Sequence, residues 1–255
     1  MVAKIAIFDS GLGSLSIIKE IQKISKTELI YFGDQENFPY GRKSKGELEK
    51  IIKKSIKMLR NNFSPDLIVV GSNTPTIVLD IENENIIGVK PPLKEAQKIS
   101  KTKNIGILGT ESAIRSRGLS KFIKNSNLNH KTKVHKICGT DLVELVESGK
   151  FFTKKSLCKK VIKKKLENIV YKKNIDVITL SSTHLPFLKS ILENQFPGIK
   201  FIDPANIIAK KIYQKIKNNQ ENQNRLKVFC SGDVKKFQRN LYKLGIKNKV
   251  NFLAI

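Results

Sequence analysis

The sequence contains no apolar stretch that approaches the roughly 18 residues needed by a membrane-spanning helix. Its first residues, MVAKIAIFDSG, run directly into a strand-like pattern and lack the layout of a signal peptide. We therefore expect a cytoplasmic protein with no membrane partner.

Cysteine is also scarce. The chain has three, Cys138, Cys158 and Cys230, and this odd number includes no CxxC pair. A disulfide framework or a zinc site usually requires cysteines in even numbers or at short, regular spacings. We expect free thiols and no bound metal.

Acidic residues are few, because 22 Asp and Glu stand against 48 Lys and Arg, which gives a formal charge of +26. A positive field of this kind attracts nucleic acid, anionic lipid and acidic metabolites alike, so charge alone does not choose a partner. No RRM, KH or zinc-finger signature accompanies the charge. Nucleic-acid binding therefore stays an alternative that rests on charge only.

Many lysines lie in the segment 154–173, KKSLCKKVIKKKLENIVYKK. Apolar residues recur there at helical spacing while lysines fill the other positions, which is typical of an amphipathic helix with a solvated basic face. The apolar positions are Leu157, Val161, Ile162, Leu166, Ile169 and Val170. We predict a helix that buries these residues and exposes its lysines.

Apolar, β-rich runs alternate with longer helical patterns along the 255 residues, a length that suits one large domain or two small ones. The runs are KIAIFD, ELIYFG, DLIVVG, NIIGV, NIGILG, KVHKI, DVITL, IKFID and LKVFC. This alternation predicts βαβ units and an α/β fold with mainly parallel sheets flanked by helices. Ligands of such folds usually bind at the carboxyl ends of the strands.

Two pairs of segments resemble each other. KIAIFDSGLGSL is similar to NIGILGTESAI, which aligns Ser10 with Thr110. DLIVVGSNTP and DVITLSSTHLP share an acidic start, an apolar run and then a serine, which is Ser72 in the first and Ser182 in the second. These pairs predict two pseudo-symmetric domains with a ligand cleft between them. The alternative is a chance likeness between parallel strands.

Polar residues follow several of the strand-like runs. DSGLGSLS places Asp9 and Ser10 at a strand end, and its glycines permit a tight turn into a helix whose free N–H groups can hold an anion. The segment lacks the third glycine of GxGxxG and the GK[ST] of a Walker A loop. Ser72 and Ser182 begin two further polar turns, for which ordinary helix N-capping is the alternative interpretation.

Taken together, these segments resemble the glutamate racemase family, within the wider group of aspartate and glutamate racemases. DSGLGSLS is similar to the family's DSGxGGLS start, YFGDQENFPYG to its YFGDxxxxPYG loop, and GSNTPT to its CNT segment. LVELVESG is similar to its LVEEG, SSTHLPFL to its CTHYPLL, and FIDPANIIA to a late IDSAE-like stretch. The motifs stand in the family's order and cover almost the whole chain.

The resemblance implies two α/β domains, one formed by residues 1–96 with 207–255 and the other by 97–206. It implies an isomerase that exchanges the proton at Cα of glutamate or a related acidic amino acid, in the amino-acid metabolism that supplies a peptidoglycan precursor. The cleft would hold the free amino acid without a cofactor. The oligomeric state stays open, with a homodimer as one arrangement.

In that family two cysteines flank the substrate Cα, and each serves one of its faces. The resemblance places Ser72 and Ser182 at these two catalytic positions. It places Asp9, Glu147 and His184 where the family has the groups that assist the thiols. The residues that match substrate-binding positions are Asp9, Ser10, Pro39, Tyr40, Gly41, Asn73, Thr74, Thr183 and His184.

The two serines weaken the expected activity. A cysteine thiol has a pKa of about 8.5, which its neighbours can lower towards neutral pH, whereas a serine hydroxyl ionises far less readily. Three explanations stay open: a natural member that turns over slowly or performs other carbanion chemistry, a degenerate binder or sensor of an acidic amino acid, and an engineered sequence. Pro75, Thr76 and Ser181 also depart from the family's pattern, which favours natural divergence.

Overall fold

A computed structural model describes residues 3–217 and 223–255 of the chain. The chain divides into two compact units. Unit 1 extends to Val89, then resumes at Ala205 and continues to Ile255, whereas unit 2 extends from Lys90 to Pro204. Unit 1 is therefore made from both ends of the chain and unit 2 from its middle.

The helices and strands alternate along the chain. The strands of the described residues are β1 (Lys4–Asp9), β2 (Glu28–Gly33), β3 (Leu67–Val70), β4 (Ile86–Gly88), β5 (Asn104–Gly109), β6 (Lys133–Cys138), β7 (Val177–Ser181), β8 (Lys200–Ile202), β9 (Arg225–Cys230) and β10 (Val250–Phe252). Their α-helices are α1 (Leu15–Ile24), α2 (Lys45–Phe63), α3 (Asn73–Leu79), α4 (Leu93–Ile99), α5 (Glu111–Arg115), α6 (Arg117–Asn125), α7 (Thr140–Glu147), α8 (Lys150–Thr153), α9 (Lys155–Lys172), α10 (Lys189–Gln195), α11 (Ala205–Ile216) and α12 (Val234–Lys243). Short 3₁₀ turns cover Gln35–Asn37, Tyr40–Arg42 and Leu185–Leu188.

Each unit is built on one parallel sheet, which confirms the predicted α/β class. The strand order is β10-β9-β2-β1-β3-β4 in unit 1 and β6-β5-β7-β8 in unit 2. Every described strand pair in the two sheets is parallel. The order β2-β1-β3-β4 therefore recurs as β6-β5-β7-β8, so the internal likeness in the sequence is a repeat of topology and not a chance likeness.

The repeat places the paired sequence segments at corresponding strands. KIAIFD forms β1 and NIGILG forms β5, while the segments DLIVVG and DVITL form β3 and β7. In both units the chain first adds a strand on one side of β1 or β5 and then crosses to the other side. This reversal makes a switch point, where the crevice at the carboxyl ends of the strands suits a ligand. Ser72 follows β3 and Ser182 follows β7, the strand to which each unit crosses at its switch point.

The predicted strands match the observed ones to within one residue at each end. The exception is β10, which the sequence analysis missed because its three residues form no apolar run. Burial follows position in the sheet. β2 is buried after its first residue because β1 and β9 flank it, whereas β6 lies at an edge and exposes Lys133 and Lys136.

The lysine-rich segment 154–173 contains α9, as predicted, and most of its lysines are exposed. Val161 and Ile169 pack partly buried against the core of unit 2. The prediction was wrong for Leu157, which is 37% exposed, because Cys158 occupies the inward face in its place. Residues four apart line one face of a helix. The buried row is Cys158, Ile162, Leu166 and Val170.

None of the helices within residues 3–217 and 223–255 is long and apolar enough to cross a membrane. The three cysteines are free thiols, and burial raises the pKa of the Cys158 and Cys230 thiols. In that same part of the chain, no group of three or more His, Cys, Asp or Glu side chains is placed to hold a metal ion.

Candidate active site

The first cluster of predicted site residues lies at the carboxyl ends of β1, β2 and β3 in unit 1. These strands are neighbours in a parallel sheet, so their carboxyl ends share one edge. Its members are mostly buried, with Pro39 and Gly41 partly exposed. The first cluster consists of Asp9, Ser10, Pro39, Tyr40, Gly41, Ser72, Asn73 and Thr74.

Asp9 ends β1 and is fully buried. Its Oδ1 accepts the backbone N–H of Ser10 at 2.6 Å, and the Ser10 hydroxyl lies 3.5 Å from the same oxygen. The first two N–H groups of α1 bond to carbonyls of the preceding turn. These two N–H groups are therefore satisfied inside the turn, and the anion cradle stays a prediction for the N–H groups of the turn before α1.

The loop after β2 is organised by Asp34, a residue that the sequence analysis did not single out. The Asp34 carboxylate is fully buried and accepts the Tyr40 hydroxyl at 2.8 Å and the Asn37 side-chain amide at 2.9 Å. Tyr40 is itself 1% exposed, and its hydroxyl is hydrogen-bonded within the loop. Only the backbone groups of Tyr40 are therefore available to a ligand. A signal was present in the sequence, since Asp34 directly follows the run ELIYFG.

Burial and nearby negative charges keep the Tyr40 hydroxyl of this loop protonated. Burial raises the pKa of the Asp34 carboxyl, although hydrogen bonds from Asn37, Tyr40 and Ser231 oppose that rise. Burial also raises the pKa of Tyr40 well above its ordinary value, and the negative charges of Asp34 and Asp9 add to this effect. A phenol in such surroundings stays protonated and donates its hydrogen bond.

Ser72 is the N-cap residue of α3, but its hydroxyl makes no capping hydrogen bond. Its backbone carbonyl accepts the Thr76 hydroxyl at 2.8 Å. N-capping as the role of the Ser72 hydroxyl is therefore wrong. The neighbouring Asn73 donates its amide to the Val89 carbonyl at 3.1 Å, while its Oδ1 is buried with no hydrogen-bond partner among the described residues.

The second cluster lies in unit 2 and consists of Glu147, Ser182, Thr183 and His184. Ser182, Thr183 and His184 directly follow β7 and are all buried. Glu147 is the last residue of α7. The run LVELVE ends the helix with its carboxylate beside the turn after β7, which brings the two motifs of unit 2 together.

The imidazole of His184 and the carboxylate of Glu147 form a hydrogen-bonded pair. His184 Nε2 lies 2.9 Å from Glu147 Oε2, and the two side chains are 5% and 12% exposed. With Nε2 donating to the carboxylate, Nδ1 is the proton acceptor of the neutral ring. Unit 2 thus holds an imidazole that is oriented by a buried carboxylate, an arrangement that suits proton transfer.

The two adjacent serines after β7 have different surroundings. The Ser181 hydroxyl lies 2.9 Å from the Thr179 hydroxyl within the buried strand. Ser182 lies outside β7, and its backbone carbonyl accepts the N–H of Leu185 at 3.0 Å. The N-cap position of the next 3₁₀ turn is occupied by His184. N-capping is therefore wrong for Ser182 as well, and neither serine of the repeat is explained by it.

No protein-family model matches the chain. Glutamate racemase of Sulfurihydrogenibium sp. (strain YO3AOP1) is 32% identical over 242 residues, which cover 92% of this chain and 91% of that protein. The crystal structure of a glutamate racemase isoform from Bacillus anthracis is similar with a TM-score of 0.85 and 25% identity, over 99% of this chain and 98% of that one. The Escherichia coli glutamate racemase crystallised with L-glutamate and an activator has the same fold, with a TM-score of 0.83, 21% identity and coverage of 100% and 99%.

These likenesses place the fold among the two-domain α/β racemases. The chain belongs to the glutamate racemase family.

Proposed function

We propose that this protein binds glutamate or a related acidic amino acid and exchanges the proton at its Cα without a cofactor, as a glutamate racemase-like isomerase. Membership of the family supports the class of reaction. One observation carries the assignment of residues: Ser72 and Ser182 follow corresponding strands of a topological repeat. In this proposal each hydroxyl serves one face of the same Cα.

The remaining members of the two clusters divide between assisting and binding roles. Asp9 assists at Ser72, and the His184–Glu147 pair assists at Ser182. The hydrogen bond from His184 to a carboxylate supports this role, because it orients the ring. The residues that hold the carboxylates and the ammonium group are Ser10, Asn73, Thr74 and Thr183, together with the backbone of Pro39, Tyr40 and Gly41.

The serines set the expected rate. Abstraction of the Cα proton requires a base whose pKa lies near the operating pH, and a serine hydroxyl is far from that range. We therefore expect slow turnover from the two hydroxyls themselves. His184 offers a second route on one face, since it is the imidazole of the second cluster and its contact with Glu147 orients the ring.

A second candidate function is binding without turnover, as a sensor of an acidic amino acid. The observation that favours it is the pattern of replacement: both thiol positions of the family carry hydroxyls, while the binding positions keep their polar groups. The E. coli relative was crystallised with L-glutamate, which makes glutamate the first ligand to test.

Two measurements on the unaltered protein separate these functions. A ligand of the native state raises the melting temperature, and glutamate at about 100 times its Kd adds roughly 2.7 kcal/mol of stability. Loss of the Cα proton signal in D₂O, followed by NMR for L-glutamate and D-glutamate, reports exchange. Exchange supports the isomerase, and a thermal shift without exchange supports the binder. Neither effect with any acidic amino acid at millimolar concentration would overturn both.

A further inference from the structure

The segment that returns to unit 1 at the end of the chain touches the loop that carries Pro39, Tyr40 and Gly41. β9 lies beside β2 in register, with Phe229 opposite Phe32 and Cys230 opposite Gly33. The residues just after β9 therefore meet the residues just after β2. Unit 2 has no counterpart of this segment in its described residues, because β6, the strand that corresponds to β2, lies at the edge of its sheet.

Ser231 makes the central contact. Its hydroxyl donates to Asp34 Oδ1 at 3.2 Å and accepts the backbone N–H of Glu36 at 3.2 Å. Asp34 in turn accepts the Tyr40 hydroxyl and the Asn37 amide. Ser231 thus bonds both to the backbone near the beginning of the loop and to the Asp34 carboxylate, which binds the Tyr40 hydroxyl at the loop's end.

Close packing surrounds this polar contact. A Cβ added at Gly33 would lie 2.6 Å from the Phe237 ring of α12, so the end of β2 has room only for glycine. A Cβ added at Gly232 would lie 2.7 Å from Gln35 Cβ. Tyr31, which pairs with the Phe237 ring at 6.1 Å, donates its hydroxyl to the Gly11 carbonyl in the turn after Asp9. The returning segment therefore packs directly against the loop after β2, and it reaches the turn after β1 only through Tyr31.

The burial of Asp34 opposes the ionisation of its carboxyl group. The carboxyl is fully buried, and burial raises its pKa even though three side chains donate hydrogen bonds to it. A buried carboxylate of this kind disfavours the folded state relative to a neutral group of the same shape. The contacts that the Asp34 carboxylate makes to the loop therefore explain its presence better than overall stability does.

We propose that Asp34 and Ser231 are positioning residues, which hold the Pro39–Gly41 loop in the conformation that receives the amino acid. The loop is closed by Asp34 through the Tyr40 hydroxyl, and Ser231 fixes Asp34 to the end of β9. This inference rests on the proposed function for its ligand. The claim that Asp34 and Ser231 hold the loop is independent of the proposed function, because the order of the loop can be measured without any ligand.

Hydrogen–deuterium exchange of the intact protein tests the holding of the loop. Asp34→Asn and Ser231→Ala are expected to speed exchange of the loop amides, including those of Arg42 and Lys43, by roughly 10- to 100-fold, the effect of losing a hydrogen bond to a charged group. Asp34→Asn should leave the melting temperature close to that of the parent, because removal of the buried charge offsets the lost bonds. The two changes should not add when combined, since they act on one network.

Asp66→Asn is the matched control. Asp66 accepts the Lys4 N–H at 2.8 Å at the opposite end of β1 and β3, so its replacement should raise exchange there and not in the loop. Glutamate titrations complete the test, and we expect the affinity to fall by roughly tenfold or more in Asp34→Asn and Ser231→Ala but not in Asp66→Asn.

The outcomes are distinguishable. Unchanged loop exchange in both variants overturns the inference, and so does faster exchange with unchanged glutamate affinity. Faster loop exchange in a protein whose parent binds no acidic amino acid supports the holding of the loop by Asp34 and Ser231 and removes the proposed function instead. If Asp34→Asn does not fold, the milder Ser231→Ala decides by the same readouts.

Discussion

Unit 1 and unit 2 share the order of four strands, yet they carry different chemical groups where those strands end. In the first cluster, Ser72 shares its edge of the sheet with the carboxylate Asp9 and with amide and hydroxyl side chains. In the second cluster, Ser182 stands two residues before an imidazole that is hydrogen-bonded to Glu147. The repeated scaffold sets the positions of the two serines, whereas the loops decide the chemistry available to each.

The two units also differ in how they support their loops. Unit 1 continues its sheet beyond β2 with β9 and β10, and Ser231 reaches the loop after β2 from that side. Unit 2 ends its sheet at β6, and the carboxylate that bonds to His184 comes from α7. Perturbing one unit at a time therefore tests whether the clusters are as different as their contacts suggest.

Restoring the thiols should have the largest effect. The double variant Ser72→Cys with Ser182→Cys is expected to racemise glutamate about 10² to 10⁴ times faster than the unaltered protein, because thiols supply general acid–base groups of suitable pKa. Each single variant should exchange deuterium into one enantiomer with little inversion. NMR of the Cα proton in D₂O measures both.

The unaltered protein under the same conditions is the control for the thiol variants. Equal rates in the parent and the double-cysteine variant would show that serine is adequate here or that another base, His184, transfers the proton. Exchange into both enantiomers by a single-cysteine variant would contradict the assignment of one serine to each face.

A cavity in the core of unit 2 should have the next largest effect. Leu166 is fully buried in α9, and Leu166→Ala is expected to cost about 2 to 5 kcal/mol of unfolding free energy. Urea denaturation measures the loss, and hydrogen exchange should show it first in β5 and β7 rather than in unit 1. Leu157→Ala on the same helix is the control, and at 37% exposure it should change stability by less than about 0.5 kcal/mol. Equal losses from both would contradict the buried face of α9.

Removal of a single assisting group should separate the clusters more finely. In the double-cysteine background, His184→Asn is expected to slow exchange roughly 10- to 100-fold for one enantiomer of glutamate, and Asp9→Asn for the other, because each group supports one thiol through charge and hydrogen bonding. Deuterium incorporation into L-glutamate and D-glutamate, measured separately, gives the two rates. Equal slowing of both enantiomers by either variant would contradict the division of roles.

The smallest expected effect is on stability and comes from replacing Asp176, the carboxylate at the amino end of β7 that corresponds to Asp66 at the amino end of β3. Burial acts to raise the pKa of Asp176, but hydrogen bonds from Ser100 and from the backbone of Thr102 and Lys101 outweigh it and lower that pKa below 3.8. Because the folded pKa is depressed, the stabilisation is present above pH 3.8 and is lost as the pH falls through the folded value. Asp176→Asn should therefore cost about 1 kcal/mol at neutral pH and less in acid.

Thermal unfolding between pH 7 and strongly acidic conditions checks this dependence. Asp66→Asn provides the comparison from unit 1, where the carboxylate accepts the N–H of Lys4. A loss for Asp176→Asn that grows as the pH falls would contradict the sign of the pKa shift.

Much of the fold could be predicted because its signals are local. Strands buried on both faces read as continuous apolar runs, which is why the sequence alone identifies KIAIFD and NIGILG as a pair of similar strands. β10 is not predicted from the sequence, because its three residues at the edge of the sheet form no such run. On α9 the apolar spacing predicted the helix, but the choice between Leu157 and Cys158 for the inward face required the rotation of the helix against its neighbours.

The sequence by itself determined the α/β class, the likeness of two halves of the chain, and the placing of Ser72 and Ser182 after corresponding strands, since these follow from patterns within a few dozen residues. Only the tertiary structure decided that Ser231 bonds to Asp34 across 197 positions of the chain, that the Tyr40 hydroxyl is used by the loop, and that His184 pairs with Glu147. The physical reason is that a hydrogen bond depends on atoms within about 3 Å, whatever their separation in sequence. Periodicity reports which face of an element is buried, but it carries no information about which distant side chain lies against that face.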